Sequence, residues 1–418
     1  MKRGRSHRRI WEGKLRKCTG VAGHAPCSPL ALFRFPLSLH HSFPTLPPMI
    51  RVEYVLVGFG IAGATLAAEL RSRGRQVLVL DAPQPDSASR VAAGLMNPVA
   101  GKRFALAWRA EELLTAAIAF YRAQEERLGL PFLREMPIIK LFSSVQEQNT
   151  VLARSADQPW QDFVENPTGA LPKLPGVEQE LGGLLIRGGG YVLIEELLTQ
   201  LTAQGLREGW LRHEAFDWTR LVATEDGGFV YDERVQARHI ISCEGAAAVH
   251  NPYFHWLPLT PNQGEVLDVE CPELPEGVVF NKGAYVLPLG SGKLRVGATY
   301  RWPPFAEGTT PEALEELTQR LRGITSLPFR VTGQRASVRP AVRDRKPLLG
   351  THPDAPGVHI FNGFGSKGVM MAPRLAQVMA DWLENDVEPW PEVNIRRYFT
   401  LYSSASAVAG TRSSASRL

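Results

Sequence analysis

The sequence predicts an α/β protein: a discontinuous domain built on a parallel sheet, with an antiparallel β-rich domain inserted between its segments. Three observations predict this. Apolar runs such as Val52–Gly58 and "RQVLVLD" (Arg75–Asp81) read as strands buried on both faces, with helical spacing between them. From Leu257 to Val331 the texture alternates instead, as half-buried antiparallel strands do. After Arg339 the α/β texture returns, so the chain re-enters its first layer at the end.

In order, Val52–Gly58 predicts a strand, Ile61–Arg73 a helix and Arg75–Asp81 a second strand. Trp108–Leu128 has the spacing of a long amphipathic helix, and the Pro/Gly-rich stretch from Gln158 to Gly183 reads as irregular. Gly183–Gly205 reads as strand, glycine turn and helix, and "RHIISCEGAAAV" (Arg238–Val249) as a buried strand entering a Gly-Ala turn. "GEVLDVE", "AYVLPLGSGKLRVGATYRW" and "FRVTGQRASVRP" predict antiparallel strands, with a hairpin turn at Gly290–Gly292 and one helix, Pro311–Leu321, among them. "HIFNGFGSKGVMMAPRLAQVM" (His359–Met379) is again strand, glycine turn, helix. The segmentation expected is 49–100, 183–250 and 333–390 for the first domain and 101–182 with 251–332 for the inserted one. Segments 1–48 and 403–418 are expected to be a basic extension and a Ser/Ala-rich disordered tail.

The chain of 418 residues is long enough for two domains, and 44% hydrophobic with 21% charged residues is an ordinary globular composition. Its net charge of +5 is misleading. Residues 1–48 hold nine Lys/Arg against Glu12, or +8, which leaves 5 − 8 = −3 for the rest. That body offers no general attraction for nucleic acid or anionic lipid. The extension reads as an upstream segment preceding a natural start at Met49, with a targeting peptide as the alternative. Four cysteines without metal-type spacing imply reduced thiols and a cytoplasmic setting. Tyr54–Ala68 is apolar but too short and too glycine-interrupted to span a membrane.

The chemistry starts at Gly58-Phe59-Gly60-Ile61-Ala62-Gly63, a G-x-G-x-x-G between strand and helix, with Asp81 closing the next strand. Gly58 permits the tight turn, Gly60 the approach of a pyrophosphate, and Gly63 close packing of helix on strand. The helix N-terminus faces the phosphates, and Asp81 can accept from ribose hydroxyls while disfavouring a 2′-phosphate. The chain lacks a compact six-stranded unit and a second motif in strand–turn–helix context. One nucleotide unit split across the chain and paired with a β domain points to FAD.

Several blocks together resemble the FAD-dependent D-amino-acid oxidase superfamily, which includes glycine and sarcosine oxidases, over roughly residues 50–388. They are "SRVAAGLMNP" (Ser89–Pro98), "GGYVLIEELL" (Gly189–Leu198), "IISCEGAAA" (Ile240–Ala248), "AYVLPLGSGKLRVGATY" (Ala284–Tyr300), "VRPAVRDRKPLLG" (Val338–Gly350) and "FNGFGSKGVMMAP" (Phe361–Pro373). Within the superfamily, "SVRPAVRDRKPLLG" and "VGATYRW" are similar to the oxidase half of the bifunctional enzyme that removes a carboxymethyl group from a modified tRNA wobble uridine. The resemblance implies a discontinuous FAD-binding Rossmann-like domain with an inserted antiparallel-β (α+β) substrate domain. It implies oxidation of an amine alpha to a carboxylate, by hydride transfer to flavin N5, with O₂ or another acceptor reoxidising the flavin.

By the same resemblance, Arg339 matches the carboxylate-binding arginine, against the alternative of an ion pair with Asp344. Tyr285 matches a tyrosine reaching that carboxylate, against the alternative of a core residue. Ser89 and Arg90 are placed near the FAD phosphates, Gly94, Leu95 and Met96 beside the flavin ring, and Gly245 on the cofactor. The late loop, Gly363, Gly365, Ser366, Lys367 and Gly368, is expected at the flavin N1–C2=O edge. There backbone N–H groups would stabilise negative charge, with Lys367 adding to it or simply solvated. No cysteine stands near Val338, so FAD is expected to be non-covalent, and Gly363-Phe364-Gly365 departs from the family's Gly-His-Gly. His213, His250 and His255 show no triad or metal spacing. Two alternatives stay open: a tRNA-modifying oxidase, and a flavin-binding protein without turnover.

Overall fold

The computed structural model describes residues 49–100, 104–166 and 168–403. The expectations for residues 1–48, and for the tail beyond Ser403, lie outside the described residues. The elements that carry the site, in chain order, are β1 (Ile50–Val57), α1 (Ile61–Ser72), β2 (Val77–Asp81), β3 (Val235–Ser242), β4 (Asn262–Glu270), β5 (Tyr285–Gly290), β6 (Lys293–Gly297), β7 (Arg330–Arg339), β8 (Ala355–Asn362) and α2 (Gly368–Asn385).

The first layer is a sheet with β1 at its middle, parallel to β2 on one side and β3 on the other. Residues 240–242 of β3 pair in parallel with β8, so the last strand of the chain joins the first sheet. Val55, Leu56, Val79, Ile240, Ile241 and Ile360 are at most barely exposed, as strands covered on both faces require. Helices α1 and α2 pack against each other on one face. Opposite them, Phe229, Tyr231, Phe254 and Trp256 form a second core cluster with Val55, Val57 and Leu78.

The second sheet has the order β7-β4-β6-β5, then Val279–Asn281, Ile138–Leu141 and Gly183–Ile186. Its pairings are antiparallel except one: Val279–Asn281 runs parallel to Ile138–Leu141. The hairpin between β5 and β6 turns at Gly290, Ser291 and Gly292, all with positive φ. The helix Pro311–Arg322 starts at Thr310, whose hydroxyl accepts from the Ala313 N–H, and Pro311 follows at the first helical position. It buries Leu317 and Leu321 against this sheet.

Sheet membership moves the expected junctions. Gly183–Ile186 pairs with Ile138–Leu141 in the second sheet, and β7 pairs with β4 there along its whole length. The helix Ala110–Leu128, expected in the inserted domain, packs instead on α2. The Tyr121 hydroxyl donates to the Val369 carbonyl at 2.7 Å, and Glu112 pairs with Arg374 at 2.9 Å. The apolar stripe of that helix faced two possible layers, and nothing local chose between them. We therefore propose domain junctions near Gly190 and Pro340, with the helix Ala110–Leu128 added to the first layer. No helix among the described residues is long and apolar enough to cross a membrane.

Candidate active site

A cleft of about 800 Å³ runs from the C-terminal ends of β1 and β2 to the inner face of the second sheet. That is within the usual range for a small-molecule site. Its first wall is the β1–α1 turn. Gly58 has φ +97°, and a Cβ there would lie 2.8 Å from the Cys243 carbonyl oxygen. A Cβ on Gly63 would lie 2.0 Å from the Gly58 carbonyl oxygen, so helix and turn touch backbone to backbone. Gly60, at the N-cap of α1, has no side chain with which to cap the helix, so the positive end faces the cleft with only a distant side chain on its first N–H. One oxygen of Asp81 accepts from the Phe59 N–H at 2.9 Å, and the Ser89 hydroxyl accepts from the Ile61 N–H at 2.9 Å.

Gly58, Gly60, Ile61, Ala62 and Asp81 all line the cleft, as do Ser89, Arg90, Gly94, Leu95 and Gly245. Three expected residues do not. Gly63 packs on the Gly58 carbonyl, Met96 is 1% exposed inside the core, and Gly363 sits against Val342 and Leu348. Gly94 has a further reason to be glycine: a Cβ there would meet the Val192 carbonyl oxygen at 1.9 Å.

The opposite wall is the late loop. Gly365, Ser366, Lys367 and Gly368 line the same cleft, at the N-terminus of α2. The loop's backbone donors are fewer than expected: the Lys367 N–H donates to the Phe364 carbonyl at 3.1 Å and the Gly365 N–H to Pro340 at 3.1 Å. Lys367 itself is half-buried, not exposed. Burial, and then Arg345, pull its pKa below the ordinary lysine value.

The far end is built on the second sheet. Arg339, the last residue of β7, donates to the Asn262 side-chain oxygen at 3.0 Å and to the Thr299 carbonyl at 3.4 Å. Its guanidinium carbon lies 5.2 Å from the Tyr300 ring centroid. Burial pulls its pKa down, with Tyr285 and Tyr300 opposing, yet a guanidinium stays charged. No carboxylate pairs with it among the described residues. Asp344, the alternative partner, is held by Arg397 at 2.9 Å. Tyr285 opens β5, half-buried on the cleft; burial pushes its hydroxyl up to about 12, with Arg339 opposing.

Two glycines that sequence reasoning missed make this arrangement possible. A Cβ on Gly264 would lie 2.0 Å from one Arg339 guanidinium nitrogen and 2.2 Å from the other. A Cβ on Gly297 would lie 2.4 Å from the Tyr285 hydroxyl. Both interrupt otherwise good strands, the one available signal that something passes close by. Asn262 and Gln263, buried polar residues at the start of β4, were missed too.

These residues fit a dinucleotide flavin. The glycine turn, open helix end and Asp81 suit the nucleotide half, and the cleft continues between the late loop and the second sheet. Cys243 lines the cleft, but burial holds its thiol well above the ordinary range and so protonated.

The family described as FAD dependent oxidoreductase (DAO) matches residues 53–382. The chain is 26% identical over 378 residues to the tRNA 5-methylaminomethyl-2-thiouridine biosynthesis bifunctional protein MnmC of Hahella chejuensis, covering 82% of this chain but only 59% of that protein. It is 25% identical over 358 residues to glycine oxidase of Geobacillus kaustophilus, covering 80% and 93% of the two chains. Among solved structures, iminodiacetate oxidase of Chelativorans sp. BNC1 is similar at a TM-score of 0.69 and 23% identity, covering 83% of this chain and 98% of that one.

Proposed function

This chain belongs to the family of FAD dependent oxidoreductases, and from that premise we propose that it oxidises the C–N bond of an amino acid or N-substituted glycine. It is an FAD-dependent oxidoreductase of the amino-acid oxidase type. The observation that carries the finer reading is Arg339: a buried guanidinium on the cleft, held in place by neutral acceptors and without a carboxylate partner among the described residues. Burying an uncompensated charge costs several kcal/mol, so such a site is expected to be completed by an anion. A guanidinium pairs bidentately with a carboxylate and so fixes the rotation of the substrate as well as its position.

When bound, FAD supplies the hydride acceptor for the substrate's alpha C–H bond. Gly58, Gly60 and the N-terminus of α1 would hold its pyrophosphate, Asp81 its ribose, and the loop Gly365–Gly368 the other wall. The cofactor is held non-covalently in this reading, and acid precipitation should release yellow flavin into the supernatant. Arg339 takes the substrate carboxylate. With its pKa raised, the Tyr285 hydroxyl stays neutral and donates a second hydrogen bond to the same group. None of the cleft-lining residues from Asn281 to Pro340 is a histidine or a carboxylate, and in this reading the substrate amine gives up its proton to solvent before reaction.

The test is anaerobic mixing of the yellow protein with an amine panel. Glycine, sarcosine and iminodiacetate should bleach the flavin, and air should restore the colour with O₂ or another acceptor taking the electrons. An Arg339→Met variant that is bleached as fast as wild type at limiting substrate would sink the carboxylate assignment. Similarity to a tRNA-modifying protein across 82% of this chain supports a second reading, carboxymethyl removal from a modified uridine. Activity on tRNA falling steeply with salt would favour it.

A further inference from the structure

Three aromatic residues within six positions, Tyr300, Trp302 and Phe305, are 58%, 57% and 37% exposed. They are the only aromatics among the exposed large hydrophobic residues described. Their segment is not loose. It leaves the cleft at Ala298 and returns to it at Ala306 and Gly308. Gln263, 4% exposed, clamps it: its side chain accepts from the Ala306 N–H at 3.0 Å and donates to the Ala306 carbonyl at 2.8 Å. Its backbone exchanges two hydrogen bonds with Arg301, at 2.9 and 2.8 Å. A tethered backbone thus holds apolar rings in water, which a folded chain does at a cost unless something covers them.

Position says what covers them. The Tyr300 ring lies 5.2 Å from the Arg339 guanidinium carbon and edge-on to the Trp302 ring at 5.8 Å. The rings therefore begin at the carboxylate anchor and lead outward from it. We propose that Tyr300 and Trp302 form a stacking platform for a planar ring carried on the substrate's amine. The substrate class is then free, small N-substituted glycines with an aromatic substituent, not one carried on a nucleic acid, in preference to glycine itself. The proposal rests on the amine-oxidase reading above and narrows it. A planar ring can lie flat on one of these rings and edge-on to the other, whereas a saturated ring of equal size fits such a pair poorly.

The experiment is anaerobic bleaching of the FAD-loaded protein by sarcosine, N-benzylglycine and N-(cyclohexylmethyl)glycine, read as the apparent Kd for each. N-benzylglycine should bind about tenfold more tightly than sarcosine, the worth of one aromatic contact. The cyclohexyl compound should fall between them. Trp302→Ala should shrink the benzyl-to-sarcosine ratio to within about threefold, and Trp302→Phe should keep most of it. Equal ratios in wild type and Trp302→Ala, or a cyclohexyl compound as good as the benzyl one, would overturn the platform and leave amine oxidation standing. Bleaching by no member of the series would overturn both. Protection of Trp302 from oxidation by a single-stranded oligonucleotide, but not by N-benzylglycine, would assign the rings to a nucleic acid and also refute the proposal.

Discussion

At the scale of single residues, the site depends on what Gly264 and Gly297 leave out. Arg339 lies where the side chain of residue 264 would be, so sequence and geometry are coupled across two neighbouring strands. Gly264→Ala should fold, because the added methyl meets the far end of a flexible side chain and not backbone. It should nevertheless displace the guanidinium and weaken amino-carboxylate binding about as much as Arg339→Met, on the order of 100-fold. Titrating the variant with sarcosine, beside a thermal melt close to that of wild type, checks both halves. The missing base gives another expectation: the bleaching rate at low sarcosine should rise with pH toward the substrate amine's own pKa. An inflection near pH 6 to 7 that persists when the substrate is changed would reveal a protein base and refute that reading.

At the scale of elements, the late loop and its helix couple charge to the first sheet. Lys367 stands half-buried at the start of α2, where burial has already lowered its pKa. A cation there favours the electron-rich, reduced form of the cofactor, so Lys367→Met should lower the midpoint potential of the bound flavin. An unchanged potential would leave that duty to the helix end alone. Behind the same layer, a partly buried polar chain ties α2 to three strands. The Trp382 indole donates to the Thr351 hydroxyl at 3.1 Å, which meets His359 at 2.9 Å, and His359 meets His239 at 3.0 Å. Burial, and then the Arg238 charge, push the His239 imidazole down to about 4; burial, and then the neighbouring His239, hold that of His359 well below its ordinary value. Both are therefore neutral in the fold, while the unfolded chain binds protons near pH 6.5. The stabilisation is complete above about pH 6.5 and is lost as pH falls through about 4. Thermal melts across that window should show it, and His239→Gln should make the acid slope shallower.

At the scale of the molecule, early and late segments wall one cleft, the proposed nucleotide site, because β8 pairs beside β3 and α2 packs on α1. FAD should therefore protect 57–63 and 364–371 from hydrogen exchange together, and the melting temperature should climb with FAD concentration. Protection of the first segment alone would break the two-walled picture. The sequence by itself determined the layers and the nucleotide turn, because these rest on local signals: apolar runs, periodicity, and glycines spaced for one backbone geometry. That Arg339 and Tyr285 line the cleft was readable only by resemblance, since a lone arginine or tyrosine on a strand has several possible duties. The tertiary structure decided the rest. It alone determined which sheet Gly183–Ile186 joins, which layer the helix Ala110–Leu128 covers, that Met96 and Gly363 face away from the cleft, and that Gly94 answers to Val192. It alone set Gly264 beneath Arg339 and left Asp344 to Arg397. The physical reason is common to all of these. Each depends on a contact between segments distant in sequence, and a strand's own pattern says that it has two faces without saying what will lie against them.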